Sequence, residues 1–313
     1  MFAFFVRRIL AAIPVIFLVA LIVFCLLYFA PGDPATIIAG DLATPEETAR
    51  IRAALGLDQP FLVRLGIFLW QILTLDLGTS IFSNLPVSYL IGQRLEPTLS
   101  LGGLTIVFAV CIAVPLGALA AYRARRLVDR LALVVSVLGF SVPVFVVGYM
   151  LIWLVAIKLA WLPVQGYTPL SKGVWPWLEN LMLPMLSLGL VYIALITRIT
   201  RASVLEVLSQ DYIRTARAKG LTDPVVVWRH ALRNAAVPIA TIVGIGVALL
   251  MGGVVVTETV FAIPGIGRLL VEAILRRDYP IIQGVILLLA GIYIVVNICV
   301  DVSYAIFDPR IRY

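Results

Sequence analysis

Six apolar runs without a single charged residue divide the chain: Ile9 to Gly32, Thr98 to Tyr122, Leu131 to Ile157, Leu181 to Thr197, Ala235 to Thr257 and Tyr279 to Val300. A helix needs roughly 20 apolar residues to cross about 30 Å of hydrocarbon, and only helices and closed barrels satisfy their backbone there. The runs therefore predict an all-α membrane protein with six transmembrane helices. Composition agrees: 62% of the 313 residues are hydrophobic and 13% charged, at a mean hydropathy of +1.08, where a soluble domain carries about 25% charge. No single soluble core could hide so much apolar surface, and disorder is excluded on the same ground. The fourth run is short and is expected to extend toward Arg198 or Arg201, whose long side chains can snorkel to the headgroups. The first follows Arg7 and Arg8 as a signal peptide would, but its apolar stretch is too long and no small-x-small cleavage site follows it.

Basic side chains near span ends are retained on the cytoplasmic side. With the N-terminus inside, segments 1–8, 123–130, 198–234 and 301–313 hold fifteen of the 24 Lys and Arg, and the short outer loops 158–180 and 258–278 hold five. Both termini are thus expected in the cytoplasm of a bacterial or archaeal cell (inner) membrane. This placement accounts for the formal charge of +7 through contact with membrane lipid. No nucleic-acid partner is implied, since no aromatic-interleaved basic patch occurs.

The long outer segment 33–97 carries helix signals of its own. Thr44-Pro45-Glu46-Glu47 has capping-box spacing, so a helix is expected from Pro45 to Leu55, with Gly56 after its end. Phe61 to Leu75, with Trp70, suits an amphipathic helix on the outer membrane surface. Pro86 to Leu95 is a third candidate. The segment reads either as a structured loop or as a docking surface for an external partner.

What the runs lack restricts function. Without intramembrane carboxylates or other ionisable groups, coupling to protons or sodium has no evident residue. No phosphate loop, His-Glu-x-x-His or Gly-x-Ser-x-Gly occurs, so no catalytic residue is assigned and no cofactor is expected on this chain. Cys25, Cys111 and Cys299 lie inside apolar runs and form neither a metal site nor a disulfide framework. Among the polar residues within the runs, Ser141, Pro143 and Asn297 are the candidates for a substrate path, with helix packing as the competing role. Pro143 is expected to free a carbonyl near the middle of the third span. Trp153, Trp161, Trp175 and Trp177 read as an interfacial belt.

The inner loop 198–234 is the most informative. Tyr212, Ile213, Arg214, Thr215, Ala216, Arg217, Ala218, Lys219, Gly220 and Leu221 predict a short helix ended by a left-handed glycine, with Ile213, Ala216 and Gly220 on one small apolar face. Asp223-Pro224 then opens a second helix toward Asn234, Asp223 being the expected cap. Such an elbow suits insertion into a groove of another protein. A solvated basic connector explains the same residues equally well.

With these residues in view, the sequence resembles the permease subunits of ABC importers, specifically the dipeptide, oligopeptide and nickel class. Their Glu-Ala-Ala-x-x-x-Gly signature falls on Arg214-Thr215-Ala216 and Gly220, so an arginine stands where the signature has glutamate. Further landmarks, in order, are Ala30-Pro31-Gly32-Asp33-Pro34, Leu55-Gly56-Leu57-Asp58-Gln59-Pro60, Leu77-Gly78-Thr79-Ser80, Pro264-Gly265-Ile266-Gly267, Arg277-Asp278-Tyr279-Pro280 and Asp308-Pro309-Arg310-Ile311-Arg312. The resemblance implies a type I importer permease fold: residues 1–93 as first helix and external segment, 94–305 as a five-helix core with the elbow at 198–234, and 306–313 as a cytoplasmic tail. It also implies a homologous second permease, two cytoplasmic ATPase subunits that use ATP and Mg, and an external substrate-binding protein. Di- or oligopeptides are the expected cargo, with nickel, glutathione and oligosaccharide as alternatives within the class. A passive channel and an ion-coupled secondary carrier are the competing functions.

Overall fold

In the computed structural model, residues 2–29, 34–39, 43–54 and 56–307 are described. Their regular structure is helical: α1 (Phe2–Tyr28), α2 (Pro34–Ala39), α3 (Pro45–Ala54), α4 (Phe61–Leu73), α5 (Val87–Tyr122), α6 (Leu127–Ser141), α7 (Val144–Leu151) and α8 (Val174–Leu208). Then follow α9 (Asp211–Ala218), α10 (Asp223–Val225), α11 (Leu232–Asn234), α12 (Ala236–Val260), α13 (Ile266–Arg276) and α14 (Tyr279–Phe307). Wider π-helical turns over Ile152–Lys158 prolong α7, and others over Val226–Ala231 join α10 to α11.

Among the described residues, four helices, Val87–Tyr122, Val174–Leu208, Ala236–Val260 and Tyr279–Tyr304, are long and apolar enough to cross a membrane. The pair Leu127–Ser141 and Val144–Lys158 makes a fifth if taken as one span, and Leu10–Leu26 is a shorter apolar helix. The end of the first expected span, residues 30–32, and the landmark at 308–312 lie outside the described residues.

Several boundaries differ from the sequence expectation, each for a physical reason. The third run is not one straight helix: it bends by 99°. Pro143 cannot donate to the helix and drives Val142 into an extended conformation (φ −94°, ψ 124°), so α6 stops and Pro143 caps α7. Pro86 to Leu95 is not a separate helix. It forms the first turns of α5, whose 36 residues extend about 54 Å at the α-helical rise. The fourth run does extend, but as the 35-residue α8, and Arg201 pairs with the buried Asp129 through Nε and Nη2 rather than reaching outward alone.

The helices also outrun the charge-free windows, so acidic groups enter them. Glu258 in the last turn of α12 and Asp301 in α14 are both buried. A hydropathy window stops at a charge, whereas a helix continues wherever that charge is hydrogen-bonded.

Near the start, the capping box forms as its spacing predicts. Thr44 N donates to the Glu47 carboxylate at 2.9 Å, and Glu47 N donates to Thr44 Oγ1 at 3.3 Å. These Thr44 bonds hold the Glu47 pKa below its ordinary value. α3 ends at Ala54, and Gly56 at φ +64° makes the turn that follows.

The chain divides into two compact units, Met1–Leu95 with Leu269–Ile294 and Glu96–Arg268 with Val295–Tyr313. In the first, α4 packs on α1 through Ala20, Phe24 and Phe68. The Phe24 ring stacks on Phe68 at 5.5 Å and meets Phe61 edge-on at 5.4 Å. In the second, α5, α8 and α12 share a core that includes Leu101, Leu181, Leu188, Ile196 and Leu250. α5 and α8 approach so closely that a Cβ on Gly117 would lie 2.7 Å from Thr200 Cβ; small residues permit such contact between membrane helices.

Candidate functional site: an exposed elbow and two buried carboxylate clasps

Between α8 and α12 the chain makes a compact elbow. Its base is fixed: Val204, Val207, Ala231, Ala235 and Ile239 form one buried cluster with Ala121 of α5. From that base α9 runs to Ala218, and Gly220 at φ +83° turns the chain as the sequence predicts. Thr222 rather than Asp223 precedes the second helix, with Asp223 and Pro224 in its first turn. Arg217 Nε lies 3.3 Å from Asp223 Oδ1 and spans the turn. Arg214 Nη1 lies 3.3 Å from Asp211 Oδ1.

The face of the elbow differs from the expectation. Ile213 and Ala216 are buried, and α9 packs on the π-helical turns over Val226–Ala231, where Val226 and Val227 are buried as well. An eight-residue helix cannot hold itself together in water; its apolar stripe is used to anchor it to its own connector. Tyr212, Arg214, Thr215, Arg217, Ala218, Lys219, Gly220 and Leu221 are left exposed, so the outer surface is basic and mixed rather than small and apolar.

Of the three path candidates, Ser141 and Pro143 sit at the bend between α6 and α7, both exposed, with the Ser141 hydroxyl donating to the Val137 carbonyl at 2.8 Å. Asn297 is exposed on α14.

Two clusters that sequence reasoning did not assemble join its separate landmarks. In the second unit, Thr98 donates to the fully buried Glu258 carboxylate at 2.5 Å, and Arg268 N donates to the other oxygen at 2.9 Å. Thr98 Oγ1 in turn accepts from Ile266 N at 2.8 Å. A Cβ on Gly265 would overlap the Glu258 carboxylate, and one on Gly267 would lie 2.6 Å from Val255 Cα. The Pro264-Gly265-Ile266-Gly267 landmark thus passes this acid where positions 265 and 267 have no room for a side chain. In the first unit, buried Asp278 accepts from Ser80 Oγ at 2.6 Å and from Ile81 N at 3.3 Å. The Leu77–Ser80 and Arg277–Pro280 landmarks meet there. In the sequence Ser80 and Asp278 each stand two residues from a glycine or proline, Gly78 and Pro280, and Thr98 follows Pro97, whereas Glu258 stands between two threonines; none of these names its partner.

A family model described as "Binding-protein-dependent transport system inner membrane component" matches residues 113–313, and its N-terminal companion matches residues 1–102. The chain is similar to a probable peptide ABC transporter permease protein of Sinorhizobium fredii, 51% identical over 310 residues that cover 99% of each chain. It is similar, too, to a glutathione transport system permease protein of Salmonella paratyphi A, 41% identical over 313 residues and the full length of both. Among solved structures, the inward-facing methionine ABC transporter MetNI aligns with a TM-score of 0.58 at 17% identity, over 71% of this chain and 97% of that one. That likeness shows the fold. Apolar helices of membrane-spanning length, the shared fold and the matched sequence together lead to one conclusion: the chain belongs to the binding-protein-dependent transport system inner membrane components, the permease subunits of ABC importers.

Proposed function

We propose that this chain is the permease subunit of an ATP-driven peptide importer, half of a translocation path completed by a homologous second permease. The observation that carries the cargo assignment is the 51% identity, across nearly the whole chain, to a permease named for peptide transport. The glutathione permease at 41% is the relative that suggests an alternative cargo. The chain is a transport component and not an enzyme. ATP and Mg are used in two separate cytoplasmic ATPase subunits, and an external binding protein delivers substrate.

The six apolar runs support six spans, and the fifteen basic residues in segments 1–8, 123–130, 198–234 and 301–313 support both termini in the cytoplasm. Residues 1–93 supply the first span and an external helical segment, 94–305 the five-helix core, and 306–313 the tail. Movement of the ATPases would push on the exposed residues of the elbow, Tyr212, Arg214, Thr215 and Arg217 to Leu221. The buried base at Val204, Val207, Ala231 and Ala235 offers a stiff route from elbow to α5 and α8, suited to rigid-body rocking. Ser141, Pro143 and Asn297 are assigned to the path.

The test pairs uptake with assembly. Arg214→Glu with Leu221→Asp changes exposed residues only, so the permease should reach the membrane at wild-type level, lose ATPase subunits on pull-down and lose peptide uptake. Wild-type uptake by this variant would reduce the elbow to a solvated connector. Competition by glutathione against labelled dipeptide in the same cells separates the two cargo readings. Cysteines placed singly at Thr48, Lys172 and Thr222, labelled from outside, test the topology: labelling at 222 but not at 48 reverses it.

A further inference from the structure

A groove of about 500 Å³ opens along one side of the second unit. Ala236, Ile239, Ala240, Val243 and Val247 form its floor on α12, recurring every three or four residues over about 16 Å of helix. Its walls are Val110 and Val114 of α5 and the Val295–Ser303 stretch of α14. The Ser303 hydroxyl has its proton committed, donating to the Val300 carbonyl at 2.6 Å. Beside the groove, Thr241 Oγ1 and Tyr304 Oη share a hydrogen bond at 2.8 Å, and Val300 closes directly over Gly244. These contacts hold α12 against α14, so they set the width without help from an occupant.

Water gains no partners in an apolar groove of this kind, whereas an apolar occupant gains dispersion contacts along the lining. In a membrane the filler at hand is the lipid acyl chain. One end of the groove is marked by Leu232 and Ala236, and the connector there carries the exposed Arg229 and Arg233. Basic groups beside an intramembrane pocket attract anionic headgroups.

We infer that this groove is a binding site for an anionic phospholipid, one acyl chain lying along α12 and the headgroup phosphate held by Arg229 and Arg233. The site would tie a lipid to the same segment that links the elbow to α12. It stands on the groove's own geometry, whichever cargo the importer carries.

The experiment uses the complete importer, extracted in mild detergent and equilibrated with equal amounts of dioleoyl phosphatidylglycerol and dioleoyl phosphatidylcholine, with bound lipid read by native mass spectrometry. Wild type should retain phosphatidylglycerol in preference to phosphatidylcholine. Arg229→Gln with Arg233→Gln should lower that preference by about tenfold or more, each arginine near a lipid charge contributing on the order of fivefold. Ala240→Phe fills the floor and should abolish retention of both lipids. Should Ala240→Phe fail to assemble, the exposed double-arginine variant decides alone. Equal retention of the two lipids by wild type, an unchanged preference in the double-arginine variant, or unchanged retention in an assembled Ala240→Phe importer overturns the inference. So does efficient thiol cross-linking of Cys299, on the groove wall, to the second permease, which would make the groove a protein interface.

Discussion

The elbow and the Glu258 clasp both coincide with family landmarks, yet they are built on opposite principles. In the elbow, Arg217 and Asp223 are roughly half exposed at 46% and 48%, and their pairing contributes little in water. In the clasp, Glu258 is fully buried and accepts from a hydroxyl and a backbone amide; there each missing partner is costly. Glycine differs in the same way. Gly220 has no neighbour within 4 Å of a hypothetical Cβ and is needed for its φ of +83°, whereas Gly265 is needed because the Glu258 carboxylate occupies the space. A landmark in this sequence therefore marks either an exposed turn or an interior joint, and burial tells which.

The sharpest attempt to break this contrast is Glu258→Ala. Removing the carboxylate deprives Thr98 and the Arg268 amide of a buried acceptor, and a loss of about 3 kcal/mol or more is expected. The detergent-solubilised importer should show a clearly lower melting temperature and a reduced steady-state level. If melting is unchanged, the clasp is no stronger than a surface pair.

Ala216→Glu is expected to come next, because it places a carboxylate where α9 packs on its own connector. A cost of about 2 kcal/mol should appear as faster amide exchange over residues 211–231, with the α5–α8 core protected as before. Exchange at the wild-type rate would mean that the inner face of the elbow is already open in solution. Gly220→Ala is smaller, about 1 kcal/mol for a side chain forced into a left-handed conformation, and should lower uptake more than it lowers melting temperature. The smallest effect belongs to Arg217→Ala, below about 0.5 kcal/mol for an exposed pair. A drop comparable to that of Glu258→Ala would erase the distinction between the two regions.

The elbow's turn was legible because it is local. Gly220, Pro224 and the 211–218 periodicity act within a few residues, and the capping box at Thr44 and Glu47 formed for the same reason. The orientation of α9 was not legible, since choosing between a partner and its own connector depends on Val226 and Val227 being folded beneath Ile213 and Ala216. Likewise, the proline at 143 signalled a disturbance, but the 99° bend depends on how α6 and α7 both pack on α8.

By itself the sequence determined the environment and the class of secondary structure. Apolar runs longer than a bilayer core leave a chain no alternative to helices, and the placement of charge follows from the cost of moving it into hydrocarbon. Tertiary structure alone decided which acids could be buried. Glu258 meets Thr98 across 160 positions, Asp278 meets Ser80 across 198, and Asp129 meets Arg201 across 72. A buried carboxylate persists only where donors converge on it, and convergence at such separations belongs to the folded chain, not to any stretch of sequence.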